Sequence, residues 1–270
     1  LSRQKVVGFI GAGNLGEPMV SRLLAAGNDV LVYARRPDRR DRVAAQGATV
    51  AESASDLARR SDVLVSCLFS DAQLIEVGLG PDGLIANAKA GSVFVSHTTG
   101  TVSTLTALRD SHPSPPVILD APVSGTVENI DAGNLTVLLG GPSDAVREVT
   151  PVLAAYADPI VPTGELGSAL AIKLVNNVLF SCNAQLLAAA IELGQALGVD
   201  ADALLSALQV CSGASHATAQ AHHVGGIENF TERATPFLRK DIAAALEAAG
   251  EAGVDLGLLG VVVDSGPLAL

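Results

Sequence analysis

A single lysine in an apolar helical pattern is the residue whose type and setting most directly suggest chemistry. Lys173 lies in the run Gly167-Ser168-Ala169-Leu170-Ala171-Ile172-Lys173-Leu174-Val175-Asn176-Asn177. Asn177 follows it by four residues and so shares its helical face. Helical lysines are ordinarily solvated charges. Apolar neighbours on every side of Lys173 predict burial instead. Burial eases loss of the ammonium proton, as an acid/base working near neutral pH requires. Asn177 is expected to hydrogen-bond both the ammonium and a substrate oxygen.

A second constellation binds rather than reacts. Gly11-Ala12-Gly13-Asn14-Leu15-Gly16 spells G-x-G-x-x-G. It directly follows the strand-like run Val6–Ile10 and opens a helical pattern, the context that gives this common spacing its meaning. Gly11 permits the tight turn, Gly13 lets a pyrophosphate approach the backbone, and Gly16 allows close helix–strand packing. Unpaired N–H groups at the helix start then hold the phosphates. An NAD site wants an acid at the end of the next strand, about 20 residues on, for the ribose hydroxyls. Here that strand ends Tyr33-Ala34-Arg35-Arg36. Two guanidiniums suit a 2′-phosphate through bidentate, charge-assisted hydrogen bonds. NADP is therefore the expected cofactor, with NAD as the other possibility. A solvated basic loop is the alternative, and Arg39, Arg40 and Arg42 fit it.

The run Asp120-Ala121-Pro122-Val123-Ser124-Gly125-Thr126 closes another strand-like stretch. Open α/β sheets bind ligands at the carboxyl ends of their strands. There the Ser124 hydroxyl and the bare Gly125 N–H could meet a carboxylate. Taken alone the segment is equally a plain turn.

The elements that must carry these residues come in two blocks. Val6–Ile10, Val30–Tyr33, Val63–Cys67, Val93–Val95, Val117–Asp120, Leu135–Leu139 and Ile160–Val161 read as strands. Helical patterns at Glu17–Ala26, Asp38–Gln46 and Ser55–Arg60 lie between them. This alternation predicts a parallel sheet with helices on both faces. After Pro162 the strand signal ends. From Ser168 to Leu197 the chain is Ala/Leu-rich, has no Pro and reaches its first Gly at Gly194. That predicts one helix about 45 Å long, apolar nearly all round and therefore buried between other elements. Further helices are expected at Ala201–Leu208, Ala214–His222, Pro236–Ala249 and Gly253–Val263. The fold class is α/β: a dinucleotide-binding Rossmann domain over residues 1–163, then an all-helical domain over 164–270 built around the long helix.

Composition excludes several function classes. The net charge is -11, which repels phosphate backbones and anionic lipid, so neither nucleic acid nor a membrane is an expected partner. No apolar run is expected to reach the roughly 18 residues that span a bilayer. Three scattered cysteines, Cys67, Cys182 and Cys211, form no cluster with histidine. They predict reduced thiols, no metal site and a cytoplasmic location.

Together the motifs resemble the β-hydroxyacid dehydrogenase family, which includes 3-hydroxyisobutyrate dehydrogenases and semialdehyde reductases. The likeness runs in order through G-x-G-x-x-G, D-A-P-V-S-G, A-G-N-L-T-V-L-L-G-G at Ala132–Gly141, G-x-x-x-x-x-K-x-x-N-N at Gly167–Asn177, and Lys240-Asp241-Ile242. The resemblance implies hydride transfer between NADP and a small carboxylate-bearing aldehyde or alcohol. It makes Lys173 the catalytic acid/base, Asn177 its support, and Ser124, Gly125 and Thr126 the substrate-binding turn. It sets Thr98 and Lys240 beside the cofactor, and it implies a homodimer or homotetramer. Thr126 replaces a second glycine. Ser96-His97-Thr98-Thr99 replaces an Asp-x-Ser-Thr pattern, with His97 expected to be solvated or to line the pocket. Imine reductases share the fold but carry Asp or Tyr where this chain has Lys173. A non-catalytic NADP-binding module would have lost that lysine.

Overall fold

The computed structural model describes residues 5–270. The chain divides into two compact units, one ending at Lys173 and the other beginning at Leu174.

The first unit is built on a sheet of nine strands among the described residues. These are β1 (Val6–Ile10), β2 (Asp29–Tyr33), β3 (Thr49–Val50), β4 (Val63–Ser66), β5 (Val93–Ser96), β6 (Val117–Asp120), β7 (Val123–Ser124), β8 (Leu135–Gly140) and β9 (Ala157–Gly164). Helices α1 (Gly16–Ala25), α2 (Pro37–Ala45), α3 (Ala54–Arg60) and α4 (Asp71–Gly78) fall between the earlier strands. They are followed by α5 (Leu84–Asn87), α6 (Val102–Asp110), α7 (Val127–Ala132) and α8 (Ser143–Leu153). The order β3-β2-β1-β4-β5-β6 is parallel throughout. Beyond it β8 runs antiparallel to β6 and β7, while β9 pairs parallel to β8.

Alternation along the strands supplies both cores. Val7, Phe9, Val30, Val32, Val63, Val65, Val93, Val95 and Leu119 enter one buried cluster. Their neighbours Ile10, Leu31, Leu64, Phe94 and Ile118 enter the other. A strand buried on both faces needs apolar side chains at every position, which is why these runs are so dense in Val and Leu.

The α/β class and the succeeding helical domain are as expected, and the sheet is less uniform than expected. The short pairs β3 and β7 give too little alternation to be seen in sequence. β9 extends well beyond Ile160–Val161. Helices α4 to α8 were not anticipated. The first four have only 4–9 residues, while α8 has 11, and α4 and α6 are started by side-chain caps, Ser70 on Gln73 N and Thr101 on Thr104 N, rather than by a long apolar stripe.

Helix α9 (Ser168–Ala196) matches its expected span and crosses the division between the units. The second unit adds α10 (Ala201–Leu208), α11 (His216–His223), α12 (Ile227–Glu251) and α13 (Leu258–Ser265). Two apolar clusters hold it. One gathers Leu187, Ile191, Leu205, Phe230 and Leu238, the other Leu174, Val178, Ile242 and Val263. Buried Gln185 ties the C-terminal segment to α9 by donating to the carbonyls of Val263 and Leu268 and accepting from Leu268 N. Gly194 is needed inside α9, because a Cβ there would lie 2.3 Å from a Leu204 methyl. Two expectations shift. α12 begins at Ile227, nine residues before the expected Pro236, which sits inside it. α13 starts only at Leu258, because Gly253 and Gly257 adopt positive φ.

Helix α9 departs from the expected all-round burial. Ile172, Val175, Leu179, Leu186 and Leu193 are 46–63% exposed. Their spacings of three, four, seven and seven residues place them along one stripe. Contrary to the expectation of no spanning run, α9 is long and apolar enough to cross a membrane by length and composition. Its most apolar 18-residue window is 56% buried, as in a core helix.

Candidate active site

Because β1, β2, β4, β5 and β6 are parallel, their carboxyl ends share one edge, and most of the expected binding residues sit on the loops leaving it. The glycine loop leaves β1 and runs into α1. Gly11 has φ +96°, and a Cβ there would lie 2.2 Å from the Cys67 carbonyl oxygen. A Cβ on Gly16 would lie 2.1 Å from the Gly11 carbonyl oxygen. Gly13 is exposed and open, with its nearest such contact at 4.0 Å. Two glycines are therefore required by close packing, and the middle one leaves backbone facing outward. Ala12 is buried, while Asn14 is exposed and Leu15 half-buried. The loop fits the pyrophosphate of a nicotinamide dinucleotide.

Arg35 and Arg36 follow β2 on the same edge. Arg35 Nη1 donates to both carboxylate oxygens of Glu76 at 3.1 Å. Arg36 makes a bidentate pair with Asp38 at 3.0 Å. Glu17, in the first turn of α1, accepts from Arg42 at 3.0 Å and Arg39 at 2.7 Å. The Arg42 hydrogen bond holds its carboxyl below the usual range, helped by Arg39.

Ser66 and Ser96 end β4 and β5 as register partners. Their hydroxyls and that of Thr98 are buried and have no hydrogen-bond partner among the described residues. Buried polar groups are normally paired, so three orphaned hydroxyls at one sheet edge suit a polar ligand.

His97 corrects its expectation. It is 4% exposed, not solvated. One ring nitrogen lies 2.6 Å from the Ala121 carbonyl oxygen and the other 2.9 Å from the Tyr156 hydroxyl. A carbonyl can only accept, so Nδ1 carries the proton and the tyrosine donates to Nε2. Burial drives the imidazole down to about 4, with the Ala121 hydrogen bond opposing. Burial likewise pushes the Cys67 thiol up to about 12, so it is a packing residue rather than a nucleophile.

Ser124, Gly125 and Thr126 lie together, exposed, where β7 turns into α7. Gly125 has φ +141°. The Thr126 N–H and hydroxyl both donate to Asn129 Oδ1, at 2.9 and 3.2 Å. The threonine that replaces glycine is thus engaged as a helix cap, a role for Asn129 that the sequence reading missed.

Lys173 is half-buried on α9, not enclosed. Its exposed neighbours Ile172 and Val175 belong to the uncovered stripe. The start of that helix is held by Asp120, another residue the sequence reading did not single out. Its two carboxylate oxygens accept from Gly167 N and Leu170 N, each at 2.8 Å. Asn177 and Lys240 belong to the second unit. Asn177 is buried on α9, one turn beyond Lys173, and its Nδ2 has no partner among the described residues. Lys240 is half-buried on α12.

A separate ionic cleft lined by Lys5, Asp62, Lys89, Ser92 and Glu148 lies at the opposite, amino ends of the strands. Among the described residues no cluster of three or more His, Cys, Asp or Glu could hold a metal ion.

Comparison with known proteins assigns the family. Residues 6–171 match the NAD-binding domain of 6-phosphogluconate dehydrogenase. Residues 167–265 match the second domain model, described as NAD-binding of NADP-dependent 3-hydroxyisobutyrate dehydrogenase. The chain belongs to the β-hydroxyacid dehydrogenase family. Among its relatives, 2-(hydroxymethyl)glutarate dehydrogenase of Eubacterium barkeri is 32% identical over 93% of this chain and 84% of that protein. The Mycobacterium tuberculosis 3-hydroxyisobutyrate dehydrogenase structure with L-serine superposes with TM-score 0.84 at 26% identity, covering 97% of this chain and 92% of that one. An imine reductase from Pseudomonas sp. shares the fold alone, at TM-score 0.58 and 20% identity over 92% of this chain and 77% of that one. As a β-hydroxyacid dehydrogenase, the chain is a nicotinamide-dependent oxidoreductase acting on a CH–OH group.

Proposed function

We propose that this dehydrogenase uses NADP to interconvert a small β-hydroxy acid and its semialdehyde or keto acid. The observation that carries the reading is Lys173, placed on α9 three residues after the Leu170 N–H that is bound to the sheet's carboxyl edge. When bound, the nicotinamide supplies or accepts the hydride. The protein's residues do the rest. Gly11–Gly16 hold the pyrophosphate, and Arg35 and Arg36 take the 2′-phosphate. The buried hydroxyl of Thr98 meets the cofactor at the ends of the strands. Ser124 and Gly125 bind the substrate carboxylate, with Thr126 shaping that turn from its cap position. Lys173 holds or gives the proton at the substrate oxygen. Asn177 supports it by donating from Nδ2, which has no partner among the described residues, to the same substrate oxygen.

The exposed apolar stripe on α9 supports a second copy of this chain as partner, giving a homodimer or homotetramer.

The test mixes the protein with NADPH and glyoxylate, succinic semialdehyde, tartronate semialdehyde or methylmalonate semialdehyde, and 3-hydroxyisobutyrate with NADP for the reverse direction. Absorbance of the reduced nicotinamide is followed. Turnover of a cyclic imine with none of these acids would replace the reading by an imine reductase. Cofactor binding without any turnover would leave a binding module.

Two outcomes bear on the roles. NADPH is expected to bind at least about tenfold more tightly than NADH, or about 1.4 kcal/mol, because the end of β2 is followed directly by Ala34 and two arginines with no acid in the ribose-binding position. Equal affinities in titration would return Arg35 and Arg36 to the status of a surface loop. Ser124→Ala is expected to raise KM for a carboxylate substrate several-fold while NADPH affinity holds. Unchanged kinetics would make the turn purely structural.

A further inference from the structure

The buried carboxylate of Asp120 belongs to no expected group of binding or catalytic residues. It ends β6 with 0% exposure, and each oxygen accepts one backbone N–H from the start of α9. Gly167 and Leu170 are 47 and 50 residues away in sequence. Those donors belong to a helix start, whose N–H groups lack partners within the helix and favour negative charge. The surroundings are shaped to the carboxylate. A Cβ on Gly140 would lie 2.4 Å from Asp120 Oδ1 and 2.9 Å from Ser168 Oγ. Gly167 adopts φ +93°, which presents its N–H without a side-chain penalty.

We propose that Asp120 is the positioning residue for Lys173, fixing the first turns of α9 to the carboxyl end of β6 and so setting where the ammonium stands. Leu170 and Lys173 are three residues apart, about 4.5 Å along the axis and on neighbouring directions of the helix surface. Loosening the first carries the second with it. Reactive groups tolerate little of this, since a shift of about 1 Å can cost about a hundredfold in rate.

The inference rests on the role given to Lys173, and two measurements keep the two apart. In the first, Asp120→Asn, Lys173→Ala and the double variant are compared in single-turnover NADPH oxidation by the best aldehyde of the panel, per mole of bound cofactor. Asp120→Asn is expected to slow the step at least tenfold with NADPH affinity within twofold. In the Lys173→Ala background it is expected to add little, because residues acting as a unit are not additive. In the second, lysines are acetylated competitively with acetic anhydride and read by peptide mass spectrometry, without any turnover. Asp120→Asn is expected to change the labelling rate of Lys173 several-fold while Lys89 and Lys240 stay at wild-type rates. Gly140→Ala, which displaces the carboxylate without removing its charge, serves if Asp120→Asn does not fold, and the same changes are expected. Wild-type labelling of Lys173 in a folded variant overturns the proposal, as does an equal loss of rate with and without Lys173. Full turnover by Lys173→Ala would instead overturn the catalytic role of the lysine, and the labelling would still decide whether Asp120 positions it.

Discussion

Lys173→Ala is expected to lose about 10²–10⁴-fold in turnover, roughly 3–5 kcal/mol of transition-state stabilisation, while remaining folded and binding NADPH. A carbonyl carbon that accepts hydride leaves an oxyanion, which must be protonated in or just after the transition state. A positioned ammonium both stabilises that charge and donates the proton. Lys173→Arg is expected to fail as well, because a guanidinium does not release its proton near neutral pH and has the wrong shape. Single-turnover reduction in wild type and both variants, with cofactor affinity and folding measured in parallel, decides it. A folded Lys173→Ala protein with wild-type turnover would remove the lysine from the mechanism. The main ground for preferring a hydroxy-acid reaction over imine reduction would go with it.

The first unit is expected to lose about 3 kcal/mol of stability as pH falls from 6.5 to 4, on account of His97 alone. The ring is buried and neutral, bound between the Ala121 carbonyl and the Tyr156 hydroxyl. An unfolded imidazole takes up its proton near pH 6.5, the folded one only near pH 4. Between those values the unfolded chain binds more protons, so stability rises with pH through the window and is fully present above it. Carboxylates also titrate at the lower end, so the comparison is with His97→Gln, which lacks the titration. Both tyrosines, Tyr33 and Tyr156, lie in the first unit and Trp is absent, so intrinsic fluorescence reports this unit's urea transition. Parallel pH profiles for wild type and His97→Gln would show that His97 does not carry the effect.

What could be read from sequence was local and periodic. The strand–glycine–helix run at Val6–Gly16 announces itself because turn, close packing and phosphate approach all fall within one short segment. Helix α9 is legible because about 30 residues pass without proline and with one glycine. The missed features are those set by distant partners. The Asp120 acceptors and the His97–Tyr156 pair join residues that no window of sequence contains together. Lys173 differs from its expected burial for a related reason. Apolar neighbours predict enclosure, yet in α9 part of that apolar surface is left uncovered by this chain. Pro236 shows the limit of a breaker signal, since packing of Phe230 and Leu238 in one cluster carries α12 through it.

The arginines after β2 stand in a nearly balanced salt lattice. Arg35, Arg36, Arg39 and Arg42 are matched by Glu76, Asp38 and Glu17, four positive groups against three negative. A bare cluster of four cations would repel itself and attract any passing anion. On the proposed reading, discrimination between the two dinucleotides becomes an exchange of partners. A cofactor without the extra phosphate leaves every pair standing and gains nothing from the lattice. One that carries it must outbid a carboxylate for each guanidinium, and a phosphate dianion with three acceptor oxygens is equipped to do so. Selectivity of this kind is set as much by the acids that let go as by the arginines that take hold, and Glu76 and Asp38 are written into it alongside Arg35 and Arg36.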